Sequence, residues 1–217
     1  DDLAMMLATL AGPHPKAAHA LADNPARFRP PVSAAAPGVR VGWLGDLGGH
    51  LAFEDGILGL CQQALGRLSD AGCHVDQAAL RVNLDDVWQA WLLWRNVLVG
   101  NKLKPLLQRP GARDQIKPEA QWEYDQSVGF QAADLQHATA TREGLKHAFD
   151  NLWQQFDVLA LPVSQVWPFD VNWRWPQRIN DKPMQTYHQW MEVVLYATFA
   201  GLPWLCVPAG FGANGLP

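Results

Sequence analysis

The sequence Val39-Arg40-Val41-Gly42-Trp43-Leu44 is a short apolar run that predicts a β-strand. An amphipathic helix is expected next, over residues 53–71, and a second strand candidate follows at residues 74–80. A strand, a helix and a strand in this order are the usual sign of an α/β layer. These residues therefore place the chain in the α/β class.

Long helices are expected around the predicted strands. A first helix covers residues 2–10, where apolar side chains recur at three- and four-residue spacing. The segment from about residue 84 to residue 156 is predicted to be largely helical. Its second half begins at Pro118, because proline is favourable at a first helical position, and Gly129 is a point that could divide it.

Strands, a loop and a helix are predicted for the remainder. Residues 157–163 should form a buried strand, residues 184–200 a helix and residues 202–211 a final strand. Asn214-Gly215 is a strong hairpin signal, yet only two residues follow it. We therefore expect residues 1–217 to be one portion of a single domain, with part of a mixed β-sheet sandwiched between helices.

The composition restricts the partners of the chain. Of the 217 residues 48% are hydrophobic and 18% charged, and the formal net charge is -4. Without a basic footprint, neither nucleic acid nor a membrane surface is an expected partner, and no apolar run approaches the roughly 18 residues of a membrane span. We expect a small or neutral substrate and, by default, a cytoplasmic location. The sequence leaves open whether the protein forms a homo-oligomer.

No metal or cofactor site is predicted. The glycines from Gly42 to Gly49 follow a strand but lack the spacing of Gly-x-Gly-x-x-Gly or of the P-loop, so nucleotide binding is a weak alternative to an ordinary connection. No His-x-His, His-Glu-x-x-His or Cys-x-x-Cys pair occurs. The residues concerned are His14, His19, His50, His74, His137, His147, His188, Cys61, Cys73 and Cys206.

No serine stands in a motif for nucleophilic catalysis. The serines are Ser33, Ser69, Ser127 and Ser164, and none lies in a Gly-x-Ser-x-Gly turn or beside another serine. Ser164 follows a strand end, where active-site groups often lie. A loop hydroxyl that satisfies the backbone is the preferred interpretation of Ser164, so no catalytic residue is assigned.

Residues 166–183, which we name the aromatic loop, are the candidate substrate site. A surface loop seldom exposes four large aromatic side chains, so these form either a lid packed onto the body or the wall of an apolar pocket. The pocket-wall candidates are Trp167, Phe169, Trp173 and Trp175. By contrast, Trp88, Trp91 and Trp94 recur every three residues and indicate helix packing.

The order of these segments resembles that of amidase-signature enzymes. Residues 2–13 resemble the helix after the family's catalytic serine region, residues 39–42 its next strand, and residues 156–162 its Asp-containing strand that ends in proline. Most specific is the match to the family's Gly-x-Pro-x-x-x-x-Pro-x-Gly motif and the Gly-Leu-Pro after it. The matching residues are Ala200-Gly201-Leu202-Pro203-Trp204-Leu205-Cys206-Val207-Pro208-Ala209-Gly210-Phe211 and Gly215-Leu216-Pro217.

The resemblance implies hydrolysis of a carboxamide to a carboxylic acid and an amine or ammonia, without a cofactor. In the family a serine attacks the amide, a second serine relays the proton, a lysine is the base and backbone amides hold the oxyanion. These groups belong to segments that precede Asp1 in the family's order. The resemblance thus implies that this chain is inactive alone and needs an N-terminal catalytic portion. Thr198 stands where the family commonly has Asn, so no role is transferred to it.

Two other functions stay open. One is an amidotransferase subunit that releases ammonia from an amide donor, which would need partner subunits. The other is a non-catalytic α/β remnant with a binding or structural role. The absence of a return strand after Asn214-Gly215 counts against the remnant, because a stand-alone domain should close its own sheet edge.

Overall fold

The computed structural model describes residues 2–17, 20, 22–31 and 36–217, so His19 and Ser33 lie outside the described residues. The chain divides into two units, Asp1–Pro37 and Gly38–Pro217. The first unit contains helix α1 (Asp2–Leu10), with the bounds that the sequence predicts, and a 3-10 helix (Pro25–Phe28). No residue of α1 is buried.

A three-stranded parallel sheet organises the second unit. Its strands are β1 (Arg40–Trp43), β2 (His74–Gln77) and β3 (Val158–Ala160), in the order β2-β1-β3. Helix α2 (Ile57–Asp70) connects β1 to β2. In the register, Arg40 pairs with His74 and Val41 with Val158. The predicted strand-helix-strand unit is confirmed.

Three helices occupy most of the predicted helical segment: α3 (Leu84–Leu107), α4 (Pro118–Ser127) and α5 (Ala132–Trp153). Asn83 caps α3 by accepting a hydrogen bond from the Asp86 N–H. Gly129 divides α4 from α5, as predicted, because its φ of 105° lies in the left-handed region that favours glycine. The Trp88 and Trp91 rings stack at 5.6 Å against the core, which confirms the packing interpretation.

The C-terminal helix is shorter than predicted. A 3-10 helix (Gln189–Val194) precedes α6 (Leu195–Ala200), and Gly201 ends it with a φ of 80°. The aromatic loop contains a small antiparallel pair, β4 (Arg178–Ile179) and β5 (Lys182–Pro183). Among the described residues, no helix is both long enough and apolar enough to cross a membrane.

The two faces of β1 contact different parts of the core. Successive side chains of a strand point to opposite faces, and Val41 packs with Leu65 of α2. Gly42 faces the other side, where a Cβ would lie 2.8 Å from Leu159 Cδ2 and 2.8 Å from the Phe156 ring. The sheet therefore lies between α2 and the larger core that α3, α5 and α6 share. This arrangement confirms the α/β class.

We expect Gly42→Ala to lower the free energy of unfolding by about 1 to 3 kcal/mol, because the new methyl group must displace the Phe156 ring and Leu159. The matched control is Gly144→Ala inside α5, where nothing lies within 4 Å of the Cβ position. That variant should be neutral or more stable by up to about 1 kcal/mol. Urea unfolding of both variants measures the difference. Equal midpoints would contradict the close approach at Gly42.

Two strand predictions need correction. Residues 202–211 form no strand, and the side chains of Trp204, Leu205 and Phe211 are exposed. A strand is stabilised by ladder hydrogen bonds to a neighbour, and residues 203–211 make none with the described sheet. The strand predicted at residues 157–163 shortens to β3, whose Val158 is 50% exposed because β3 is an edge strand of that sheet. The turn at Asn214-Gly215 forms, with the Gly215 N–H donating to the Gly212 carbonyl.

Candidate functional site

The loops after β1 and β3 lie together at the carboxyl ends of these strands, the edge where open α/β sheets bind ligands. The Leu44 N–H donates to the Ala160 carbonyl at 2.9 Å. Farther along, the Glu54 N–H donates to the Gln165 carbonyl at 2.9 Å, and Gln165 Nε2 donates to the Ala52 carbonyl at 3.0 Å. Gln165 is 2% exposed, so its buried side chain fixes one loop against the other.

Trp167 is held in place at the start of the aromatic loop. Its backbone N–H donates to Glu54 Oε2 at 2.7 Å, and its indole Nε1 donates to the Asp55 carbonyl at 3.0 Å. Near the other end of the loop, Asn180 Nδ2 donates to the Phe53 carbonyl at 2.9 Å. Both ends of the aromatic loop are therefore bound to the same short segment before α2.

The four predicted pocket-wall residues have three different surroundings. Trp167 borders a cavity, whereas Phe169 and Trp173 stack with ring centroids 6.4 Å apart. Phe169 also meets Trp190 edge-on at 5.3 Å. Trp175 packs instead on a small buried cluster beneath the loop. Trp173 is 59% exposed and Phe169 36%, so this stacked pair offers open ring surface.

The cavity beside Trp167 has a volume of about 470 Å³. This volume falls within the roughly 300 to 1,000 Å³ of small-molecule pockets. Its walls come from the first turns of α2, from Trp167 and from the turn that follows residue 210. The residues that define its chemistry are Asp55, Gly59, Gln63, Trp167, Phe211 and Asn214.

A buried charge cluster joins α3, α4 and the segment that precedes the last 3-10 helix. Glu123 is 2% exposed, and its Oε1 accepts hydrogen bonds from Arg95 Nε at 2.6 Å and from His188 Nε2 at 2.7 Å. An ionised carboxylate can only accept, so His188 Nε2 is the donor of this hydrogen bond. His188 Nδ1 is buried and has no hydrogen-bond partner among the described residues.

Two glutamates of α4, Glu119 and Glu123, have pKa values below their ordinary range. Burial raises the pKa of Glu123, but hydrogen bonds from His188 and Arg95 and the charge of Arg95 outweigh it. The hydrogen bond from Arg174 lowers the pKa of Glu119, whose Oε1 lies 2.7 Å from Arg174 Nε. Because Arg174 belongs to the aromatic loop, α4 is anchored both to the core and to that loop.

A second buried cluster lies next to the aromatic loop. Glu192 is 4% exposed, and its Oε1 accepts a hydrogen bond from the Tyr196 hydroxyl at 2.8 Å and lies 3.1 Å from His50 Nε2, within hydrogen-bond distance. Burial, with the added charge of Glu192, raises the pKa of Tyr196. His50 lies in the loop after β1, so this cluster ties that loop to the C-terminal helices. Sequence reasoning identified neither buried cluster.

Other residues considered in the sequence have structural roles. Ser164 Oγ donates to the Val166 carbonyl at 2.7 Å and accepts from the Val166 N–H at 3.2 Å, as expected of a loop hydroxyl. Thr198 Oγ1 donates to the Val194 carbonyl at 3.0 Å. Within the described ranges, no group of three or more His, Cys, Asp or Glu side chains is placed to hold a metal ion.

The family model described as Amidase matches residues 1–217, and the chain belongs to this family. Among the A subunits of glutamyl-tRNA(Gln) amidotransferase, that of Ralstonia nicotianae is 37% identical over 94 residues, which are 43% of this chain and 18% of the relative. That of Bacillus cytotoxicus is 32% identical over 91 residues, 42% of this chain and 18% of the relative. The matches thus span less than a fifth of these relatives.

Solved structures share the fold at low sequence identity. A bacterial aryl acylamidase of the amidase signature family has a TM-score of 0.69 at 16% identity, over 84% of this chain and 39% of that one. The 6-aminohexanoate cyclic dimer hydrolase complexed with substrate has a TM-score of 0.68 at 13% identity, over 100% of this chain and 47% of the other. The amidase-signature resemblance drawn from the sequence is confirmed.

Proposed function

We propose that the protein carrying this chain hydrolyses a carboxamide C–N bond to a carboxylic acid and an amine or ammonia. The observation that carries this proposal is the match of the Amidase family across residues 1–217. Relatives of the same fold include an aryl acylamidase and a cyclic dimer hydrolase, and both names describe amide hydrolysis. We propose further that residues 1–217 are the C-terminal portion of a single amidase-signature domain.

In this proposal the chain contributes substrate contacts and not the nucleophile. None of its serines lies beside another serine or in a Gly-x-Ser-x-Gly turn. The aromatic loop follows a strand end, and Phe169 and Trp173 keep open ring surface there. We assign to this loop part of the substrate pocket wall, which would favour bulky apolar acyl or amine groups.

Residues 1–217 produced alone are therefore expected to release no detectable product from a panel of aliphatic and aryl amides, whereas the intact natural protein should turn over at least one of them. Chromatographic detection of the acid product measures both. Turnover by the 217 residues that disappears in Ser164→Ala would contradict this expectation and make Ser164 a nucleophile. If the intact protein hydrolyses no amide, the non-catalytic remnant becomes the better explanation.

An amidotransferase subunit is the second candidate, because the two curated relatives named above are A subunits of glutamyl-tRNA(Gln) amidotransferase. The two functions differ in what they require. An amidotransferase subunit should purify in a larger assembly and release ammonia from an amide donor mainly within it. Native mass, with ammonia release measured before and after separation of the assembly, distinguishes the two candidates.

A further inference from the structure

The only charged residue in the lining of the cavity beside Trp167, among the described residues, is an acidic one. Its lining contains one acidic residue, Asp55, two carboxamide residues, Gln63 and Asn214, and two aromatic residues, Trp167 and Phe211. None of the cavity's lining residues in the described part of the chain is Lys, Arg or His. The cavity can therefore accept hydrogen bonds and attract positive charge, but it offers no cation to a carboxylate or phosphate.

The aromatic wall of this cavity is fixed in position. The hydrogen bond from Trp167 Nε1 to the Asp55 carbonyl orients the indole. The ring also lies close to Gly212, since a Cβ there would lie 2.8 Å from both Cη2 and Cζ3 of Trp167. By contrast, nothing lies within 4 Å of a Cβ placed on Gly59, so the free space of the cavity adjoins this residue.

We propose that this cavity binds a small organic amine in its ammonium form, with an apolar body of about one ring. A carboxylate and aromatic faces both attract a cation, and the ring surfaces of Trp167 and Phe211 suit an apolar body. An amine is also a product of the hydrolysis proposed above. That link rests on the proposed function, whereas binding of the amine rests on the cavity alone.

Calorimetric titration of the intact natural protein at pH 7 tests this site with three probes of equal size: benzylamine, benzyl alcohol and benzoate. Benzylamine should bind about fivefold tighter than benzyl alcohol, because only its ammonium group is attracted by the Asp55 charge and by the ring faces as a cation. Benzoate should bind most weakly, because its negative charge is repelled by that of Asp55. In Asp55→Asn the preference for benzylamine over benzyl alcohol should fall to less than about twofold.

Gly59→Leu is the variant that fills the cavity. The leucine points into open space and favours the helix, so α2 should persist while benzylamine binding weakens at least about tenfold. Gly144→Leu is the matched control, an equally open glycine inside α5 and away from the cavity lining. It should leave benzylamine binding unchanged.

Three outcomes would overturn the inference: no binding of benzylamine, equal binding of benzylamine and benzyl alcohol, or binding that Gly59→Leu leaves intact. Amide hydrolysis is measured on the same protein samples. A protein that hydrolyses amides but does not bind benzylamine refutes the amine site alone. A protein that binds benzylamine without hydrolysing any amide keeps the site and refutes the proposed function.

Discussion

Glu123→Ala is expected to lower the free energy of unfolding by about 2 to 4 kcal/mol, because the buried His188 and the partly exposed Arg95 lose their hydrogen-bond acceptor. His188 is 2% exposed and would keep an unpaired Nε2–H in the core. The Arg95 side chain is 39% exposed and can be solvated by water in the variant. The expected loss of stability is therefore smaller than for a fully buried ion pair. Urea denaturation of the intact protein measures the effect.

The effect of Glu123→Ala should also depend on pH. The pKa of Glu123 is lowered from its ordinary value of 4.5, so its carboxylate stabilises the folded state above that value. This contribution is lost as the pH falls below 4.5 through the lower pKa of the folded state. The stability difference between wild type and variant should therefore be full at neutral pH and shrink in acid. A difference that grew in acid would contradict an ionised Glu123.

The control for this prediction is Glu143→Ala. Glu143 pairs with Lys146 at 2.9 Å on the exposed surface of α5, three residues apart on one helix. Exposed pairs of this kind contribute little to stability, since water solvates both charges in either state. The unfolding midpoint should remain almost unchanged. If both variants lost stability equally, burial could not be the reason for the importance of Glu123.

Elements with strong local signals were predictable from the sequence. The apolar run at residues 39–44 gave β1, and the glycine at position 129 separated α4 from α5. The observed helix boundaries differ from the predicted ones where the backbone conformation could not be inferred from the sequence. Helix α2 begins at Ile57 and not at residue 53, because Gly56 has a φ of 90° and cannot continue a helix. The largely apolar sequence of residues 202–211 favours a strand locally. No strand forms there, because a strand needs a neighbouring strand to accept and donate its backbone hydrogen bonds.

The candidate site was predictable only in part, because its geometry depends on distant contacts. The aromatic content of the loop was evident from the sequence. Trp167, however, forms hydrogen bonds with Glu54 and Asp55, which precede it by 113 and 112 positions, and it therefore does not share the surroundings of Phe169 and Trp173. The Glu123–His188 pair joins residues 65 positions apart. No helical or strand spacing relates such residues, so sequence periodicity contains no signal for them.

Trp173→Ala in the intact protein is expected to lower kcat/KM for a large aryl amide by roughly tenfold to a hundredfold, the effect of losing one ring against an apolar substrate. A small aliphatic amide should hardly be affected, since it does not reach that ring. Specificity constants for the two substrates, with the melting temperature of each variant, measure the effect. Trp167→Ala offers a second variant, at the cavity and not at the stacked pair.

Trp175→Ala is the matched control, because it removes the same side chain from the same loop. Trp175 packs on the buried cluster formed by Val166, Ile179 and Met184, so its loss should lower the melting temperature and affect both substrates alike. Trp173 is 59% exposed, and its removal costs little packing. The path of the loop should persist in Trp173→Ala, since Arg174 still binds Glu119.

Comparison of Trp173→Ala with Trp175→Ala shows whether Trp173 contacts the substrate or only packs the loop against the body of the protein. Phe169 loses one neighbour in Trp173→Ala but keeps its edge-on contact with Trp190 at 5.3 Å, so the remaining ring stays in place. A selective loss on the large amide, without a lower melting temperature, therefore reports the contact between substrate and ring. Equal losses on both amides together with a lower melting temperature would mean that Trp173 serves only to hold the loop on the body.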